Sequence, residues 1–285
     1  MNQLVGSLVI EDLTLTPLTP TIGAEIEGVD LRRPLDARTV AALRKALLDW
    51  KVLFFRDQDI TIDQHLAFSR NFGALEVHPF APPTPGYPEV LSITHNENNK
   101  GKENTWHSDV TWRAEPSLGS ILRAVEIPPV GGDTLFADMY AAYDGLSDEV
   151  KARVDGAVAV HDFAHFRTWK RMSGATEAEI EALNAQFPMV EHPVIRTHPE
   201  TGRKAIYVNL AFTQHIVGME KAESDKLLRH LYAQAAIPEY QCRFRWTKNA
   251  IAFWDNRASQ HYAASDYFPA VRKMQRVTVI GDRPY

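Results

Sequence analysis

The spacing of apolar and polar positions changes several times along the chain. After Asp36, Val40, Leu43, Leu47 and Leu48 fall on one helical face, so a helix is predicted over 37–50 with Asp36 as its cap. The apolar run Val52-Leu53-Phe54-Phe55 predicts a short buried strand, ended by Arg56-Asp57-Gln58-Asp59. A second helix is predicted over 62–71, stopping before Gly73. Beyond it, short strands alternate with proline-rich turns. Strands are predicted over 90–94 and 120–126, and Pro128-Pro129-Val130-Gly131-Gly132 turns the chain into a strand opening at Thr134. Helices over 139–146 and 147–154 follow, the second with Asp148 and Glu149 in its first turn. Residues 167–186 are polar with a helix near 177–183, which reads either as a lid or as a solvated excursion. Near the C-terminus, strands over 192–197 and 204–209 flank the turn Pro199-Glu200-Thr201-Gly202-Arg203. A helix over 222–236 precedes strands over 240–246, 250–254 and 274–280. This order predicts an α+β chain with a mainly β core, a sandwich or jelly roll with flanking helices.

No repeat, low-complexity tract or Gly/Ser linker divides the chain, so residues 1–285 are read as one domain. Apolar residues at 45% and charged residues at 24% are those of a soluble globular protein able to bury its own core. A formal net charge of −5 disfavours a nucleic-acid coat and a polybasic membrane patch. Cys242 is the single cysteine and cannot form an intrachain disulfide; within a strand it reads as a small buried hydrophobe. The N-terminal residues lack the basic and apolar regions of a signal peptide, and no window approaches the roughly 18 apolar residues of a membrane span. A cytoplasmic protein is expected.

Three clusters carry candidate chemistry. In Trp106-His107-Ser108-Asp109, an extended backbone would point His107 and Asp109 to one side, where both could bind one metal ion. From these residues alone, a surface strand with a satisfied histidine is the favoured reading. His261, just after the apolar strand ending at Trp254, could supply a second imidazole and complete a facial triad, or merely cap a loop. Arg272 and Arg276 share a face if 272–280 is a strand. Inward-facing guanidiniums need anions, whereas outward-facing ones would pair with surface carboxylates.

Taken together, Trp106-His107-Ser108-Asp109-Val110-Thr111, Gly131-Gly132-Asp133-Thr134, Trp254-Asp255-Asn256-Arg257 through His261, Arg272 and Arg276 resemble the taurine dioxygenase family of Fe(II)- and 2-oxoglutarate-dependent oxygenases. The resemblance runs from Leu18 and Gly23-Ala24-Glu25-Ile26 to Gly281-Asp282 and implies a double-stranded β-helix fold. It implies that His107, Asp109 and His261 hold Fe(II), and that Thr134 and Arg272 bind the distal carboxylate of 2-oxoglutarate. Arg276, His78 and the backbone N–H of Val110 would hold a substrate anion, Phe212 would line the pocket and Trp254 would lie near the metal. With O2, such an enzyme hydroxylates a substrate carbon and forms succinate and CO2. Where that carbon bears a sulfonate or sulfate, the product collapses to an aldehyde with sulfite or sulfate. A small anionic organic substrate and a homodimeric or homotetrameric assembly are further implications. The sequence departs from taurine-specific members around the amine end of the substrate: Ala81 stands where they carry tyrosine, Glu103 where they carry asparagine, and Phe166 and Arg167 replace pocket residues. This favours a sulfonate or alkyl sulfate with a tail other than taurine's. The competing readings are an aryloxyalkanoate carboxylate as substrate, a non-catalytic jelly-roll anion binder, and a zinc hydrolase, which would have no use for a clamp such as Thr134 with Arg272. His161, His165, His192, His198, His215 and His230 read as structural or exposed.

Overall fold

The computed structural model describes residues 7–10, 13–79 and 83–285. Its centre is a large sheet whose inner strands run Val52–Phe55, Ile251–Asp255, Gly119–Glu126, Arg272–Val279 and Tyr87–His95, each antiparallel to the next. A smaller sheet places Thr134–Asp138 between Gln241–Phe244 and Ser259–Ala263. The two pack face to face as the layers of a jelly roll. The interior holds Val52, Phe54, Leu122, Ala252, Trp254 and Met274 from the large sheet and Phe136, Cys242 and Phe244 from the small one. Phe54 stacks on Phe244 with ring centroids 4.0 Å apart.

Strand periodicity explains why the central strands read as unbroken apolar runs. Val52 and Phe54 point into the sandwich, while Leu53 and Phe55 point to the outer face. That outer face is covered by the Ala37–Trp50 helix through Leu43 and Leu47 and by Phe68 of the Ile62–Arg70 helix. Both faces of these strands are therefore dry, and each buried Phe or Leu contributes on the order of 1.5–3 kcal/mol. The caps follow the sequence: Asp36 accepts the Thr39 N–H, and Thr61 with Gln64 forms a capping box. Cys242 lies in its strand, and burial pushes its thiol up to about 12.

Several boundaries differ from the sequence reading. The strand expected over 192–197 is two strands, Val190–Pro193 and Ile195–Thr197, pairing with Val158–His161 and Lys204–Ile206 respectively. Val194 bridges them, donating to the Ala157 carbonyl and accepting from the Tyr207 N–H. The polar stretch holds two helices, Ala164–Met172 and Glu177–Gln186. The first buries no residue fully: Phe166 and Trp169 share one side of it, but Phe166 is only half-buried and Trp169 is exposed. The C-terminal helix is Lys221–Gln234 and lays Leu227, Leu228 and Leu231 on the fold. Among the described residues, no helix is long and apolar enough to cross a membrane.

Candidate active site

One backbone contact brings the two histidines together. The His107 N–H donates to the His261 carbonyl at 3.1 Å, and the His261 N–H donates back at 2.8 Å. Residues paired this way are directly opposed and project to the same side, so the imidazole centroids lie 4.2 Å apart. His261 stands within the Ser259–Ala263 strand rather than in a loop after one. The predicted strand through His107 and Asp109, by contrast, is only an isolated bridge at His107. The chain turns at once because Val110 is left-handed, with φ 49°, a conformation that is an outlier for a β-branched residue. Asp109 still faces the histidines, with its Oδ1 3.9 Å from each Nε2. The ligand atoms of the three residues lie within 4.8 Å of one another.

The surroundings set the protonation states. The His107 Nδ1 lies 2.7 Å from the Thr105 carbonyl, which holds the proton on that nitrogen and leaves the Nε2 lone pair for a metal. His261 Nδ1 is buried without a hydrogen-bond partner among the described residues. Burial, with His107 beside it, pushes His261 down to about 3. Burial alone would raise the Asp109 carboxyl. Arg276, the two histidines and Ser120 outweigh it and hold the group well below the usual carboxylate range. A neutral His261 imidazole beside an ionised Asp109 carboxylate is what ligation requires. Two nitrogen donors and one oxygen donor on one side fit non-haem Fe(II) with open positions opposite.

A layer behind Asp109 was not read from the sequence. Ser120 Oγ donates to Asp109 Oδ2 at 2.8 Å, and the Asp109 N–H donates to Asn256 Oδ1 at 3.1 Å. Asn256 also accepts the Trp254 indole N–H at 3.0 Å and donates to Ser117 Oγ at 2.9 Å. The Trp-Asp-Asn-Arg motif was visible, but no sequence signal said that its asparagine faces Asp109. Trp254 itself lies 4.8 Å from the His261 ring, centroid to centroid.

Thr134 and Arg272 meet at Trp246. Thr134 Oγ1 accepts the Trp246 indole N–H at 2.9 Å, which leaves its own O–H to donate. The Arg272 guanidinium lies between the rings of Trp246 and Tyr267, 5.9 and 5.8 Å from their centroids. Its Nε donates to the Gly132 carbonyl at 3.2 Å, and its Nη2 is buried with no hydrogen-bond partner among the described residues. Gly132 has φ +74°, and a Cβ there would meet Arg272 Cδ at 3.2 Å. An unsatisfied guanidinium nitrogen in a dry site is costly, and a carboxylate, as at the distal end of 2-oxoglutarate, fits it.

On the other side of the triad, Arg276 Nη1 donates to Asp109 Oδ1 at 2.8 Å while its Nε is buried without a hydrogen-bond partner among the described residues. Arg276 and His78 line one crevice with Glu76 and Thr278. Burial first, then Arg276 and Arg113, pushes the His78 imidazole down to about 4. Glu76 and Arg113, which sequence reasoning missed, form an ion pair at 2.9 Å beside it. Phe212 sets its ring edge-on to His107 at 6.2 Å. Val110, Trp112 and Phe163 form a buried apolar cluster against which Phe166, Leu183, Phe187 and Phe212 pack.

Of the positions that depart from taurine-specific members, Ala81 lies outside the described residues. Phe166 joins the apolar wall. Arg167 forms an ion pair with buried Asp162 and stacks over Phe163, so its charge is already matched. The Glu103 carboxylate turns to His95, 3.4 Å from its Nε2. His161, His192 and His198 are buried in hydrogen bonds, and His165, His215 and His230 are exposed.

Comparison with known proteins agrees with this geometry. The model of the family described as "Taurine catabolism dioxygenase TauD, TfdA family" matches residues 14–278. The chain is 36% identical to an alkylsulfatase of Acinetobacter baylyi, over 95% of this chain and 86% of that one. It is also 36% identical to an alpha-ketoglutarate-dependent sulfate ester dioxygenase of Pseudomonas putida, over 96% and 91%. A crystal structure of a taurine dioxygenase from Burkholderia xenovorans superposes with a TM-score of 0.82 at 41% identity, covering 96% of this chain and 91% of that one. With the family matched over almost the whole chain and a donor set that fits its metal, this protein belongs to the TauD/TfdA family and is an Fe(II)- and 2-oxoglutarate-dependent dioxygenase.

Proposed function

We propose that the enzyme hydroxylates the carbon bearing a sulfate ester or sulfonate, releasing sulfate or sulfite and an aldehyde while 2-oxoglutarate becomes succinate and CO2. The observation that carries this reading is Arg276, whose guanidinium reaches the metal-facing Asp109 at 2.8 Å and keeps a buried Nε without a hydrogen-bond partner among the described residues. An anion held by that nitrogen presents its neighbouring carbon to the triad. Bound Fe(II), 2-oxoglutarate and O2 together supply the oxidising power for the C–H bond. His107, Asp109 and His261 hold the metal, and Thr134 and Arg272 orient the cosubstrate by its far carboxylate. The unpartnered Arg276 Nε and the Val110 N–H donate to the substrate anion, and His78 does so as a neutral imidazole. The wall built from Trp112, Phe163, Phe166, Phe187 and Phe212 excludes water and favours an apolar tail over an ammonium group.

The test is substrate-dependent succinate formation with Fe(II), 2-oxoglutarate and O2, across taurine, longer alkanesulfonates, alkyl sulfates and aryloxyalkanoates. Turnover of the longer sulfur anions with release of sulfite or sulfate is expected. Turnover of aryloxyalkanoates alone would overturn the sulfur reading, and a clean preference for taurine would overturn the apolar tail.

A further inference from the structure

Behind the turn that carries Asp109 lies a closed ring of buried polar groups. The Asn209 side-chain amide donates to Thr111 Oγ1 at 3.0 Å, and that oxygen lies 3.0 Å from His161 Nδ1. On the other side of the imidazole, His161 Nε2 is 3.4 Å from Thr213 Oγ1. Thr213 Oγ1 accepts the Asn209 backbone N–H at 3.0 Å, which closes the ring. Asn209 Oδ1 remains, and it accepts the Phe212 N–H at 3.1 Å. Thr111, His161 and Asn209 are fully buried, so each lost bond would leave a polar group with no water to replace it.

The ring joins two segments, the turn at Thr111 and the loop from Asn209 to Thr213. Thr111 directly follows Val110, whose left-handed backbone must be held by its surroundings. Phe212 forms the opposite wall, against His107. We propose that Asn209 is a positioning residue that fixes the Val110 turn and the Phe212 loop relative to each other, so that the two walls of the substrate chamber are ordered together. The proposal rests on the reading that Val110 and Phe212 face the substrate.

Amide hydrogen exchange on the full chain, with Fe(II) and 2-oxoglutarate under argon, tests the coupling without any substrate. Thr111→Val removes one hydroxyl at nearly constant volume. It is expected to speed exchange at 210–213 as well as 110–113, leaving the Arg272–Val279 strand unchanged. Asn209→Leu is expected to act in the reverse direction, loosening 110–113, and Thr111→Ser to restore protection. Faster exchange only beside the substituted residue, or throughout the chain, would overturn the proposal. With hexyl sulfate as probe, Thr111→Val is expected to raise KM about tenfold while 2-oxoglutarate affinity stays unchanged. The Thr111→Val/Asn209→Leu double variant is expected to be no worse than its worse parent. An additive double variant, or a loss of 2-oxoglutarate affinity instead of a raised KM, would refute it. If the parent enzyme turns over no sulfur anion, the substrate reading fails, and the exchange result still decides the role of the ring.

Discussion

At the scale of single residues, the site divides into groups that touch ligands and groups that aim them. Asp109 is aimed by Ser120, Arg276 and Asn256. Replacing Asn256 with alanine removes the acceptor for the Asp109 N–H and leaves that N–H and the Trp254 indole buried without it. Metal affinity is then expected to fall by about 10–100-fold, measured by titrating the apo protein with Fe(II) or Co(II) under anaerobic conditions; unchanged affinity would remove Asn256 from the metal site. Arg272 gives a second expectation, for the cosubstrate. Arg272→Met keeps much of the packing between Trp246 and Tyr267 but deletes the unpaired Nη2. A lost charge-assisted bond is worth about 1.5–3 kcal/mol, so the Kd for 2-oxoglutarate should rise by roughly 10–100-fold. Calorimetry with 2-oxoglutarate would show it, and metal binding to the same variant should be unaffected.

At the scale of elements, the candidate site residues were legible because their chemistry belongs to side-chain types at particular motifs. His107, Asp109, His261, Thr134 and Arg272 could be picked out without knowing any backbone angle. The elements supporting them were legible where their period was strong, as in the 37–50 helix and the strand at Val52–Phe55. What escaped depends on tertiary contact. The Val110 turn ends the extended run through His107 and Asp109, and no local signal announces a left-handed valine. The Ala164–Met172 helix buries no residue fully, and Asn256 is recognisable only once the turn after Asp255 lies beside Asp109. Close strand approach makes Gly119 another such position. A Cβ there would lie 2.4 Å from the Trp254 carbonyl oxygen and 3.1 Å from the Phe253 ring. Gly119→Ala must therefore push apart the strands that carry Trp254 and Ser120. A loss of about 1–3 kcal/mol is expected, read as a melting temperature lower by several degrees; an unchanged melt would show that the sheet yields at no cost.

At the scale of the whole molecule, stability should depend on pH through histidines outside the metal site. His65 and His161 are fully buried. Burial pushes them down to about 4 and about 3 respectively, against an ordinary value of 6.5. His65 has its Nε2 3.2 Å from the Ile121 carbonyl beneath the large sheet, and His161 belongs to the ring around Asn209. Below about pH 6.5 the unfolded chain protonates both, whereas the folded chain does so only near their depressed values. The unfolded state then binds more protons, so folding stability falls as pH falls. Their contribution is complete above pH 6.5 and is lost progressively toward pH 4, at up to about 1.4 kcal/mol per pH unit for each histidine. Urea unfolding of the metal-free protein at pH 7, 6 and 5 measures this slope. Met at position 65 keeps apolar volume but cannot take up a proton, so His65→Met should unfold with a shallower pH dependence than the parent over that range. A parallel slope for the two proteins would mean that His65 is protonated in the folded state, contrary to its burial. The comparison uses the difference between two proteins, so carboxylates that titrate in both cancel.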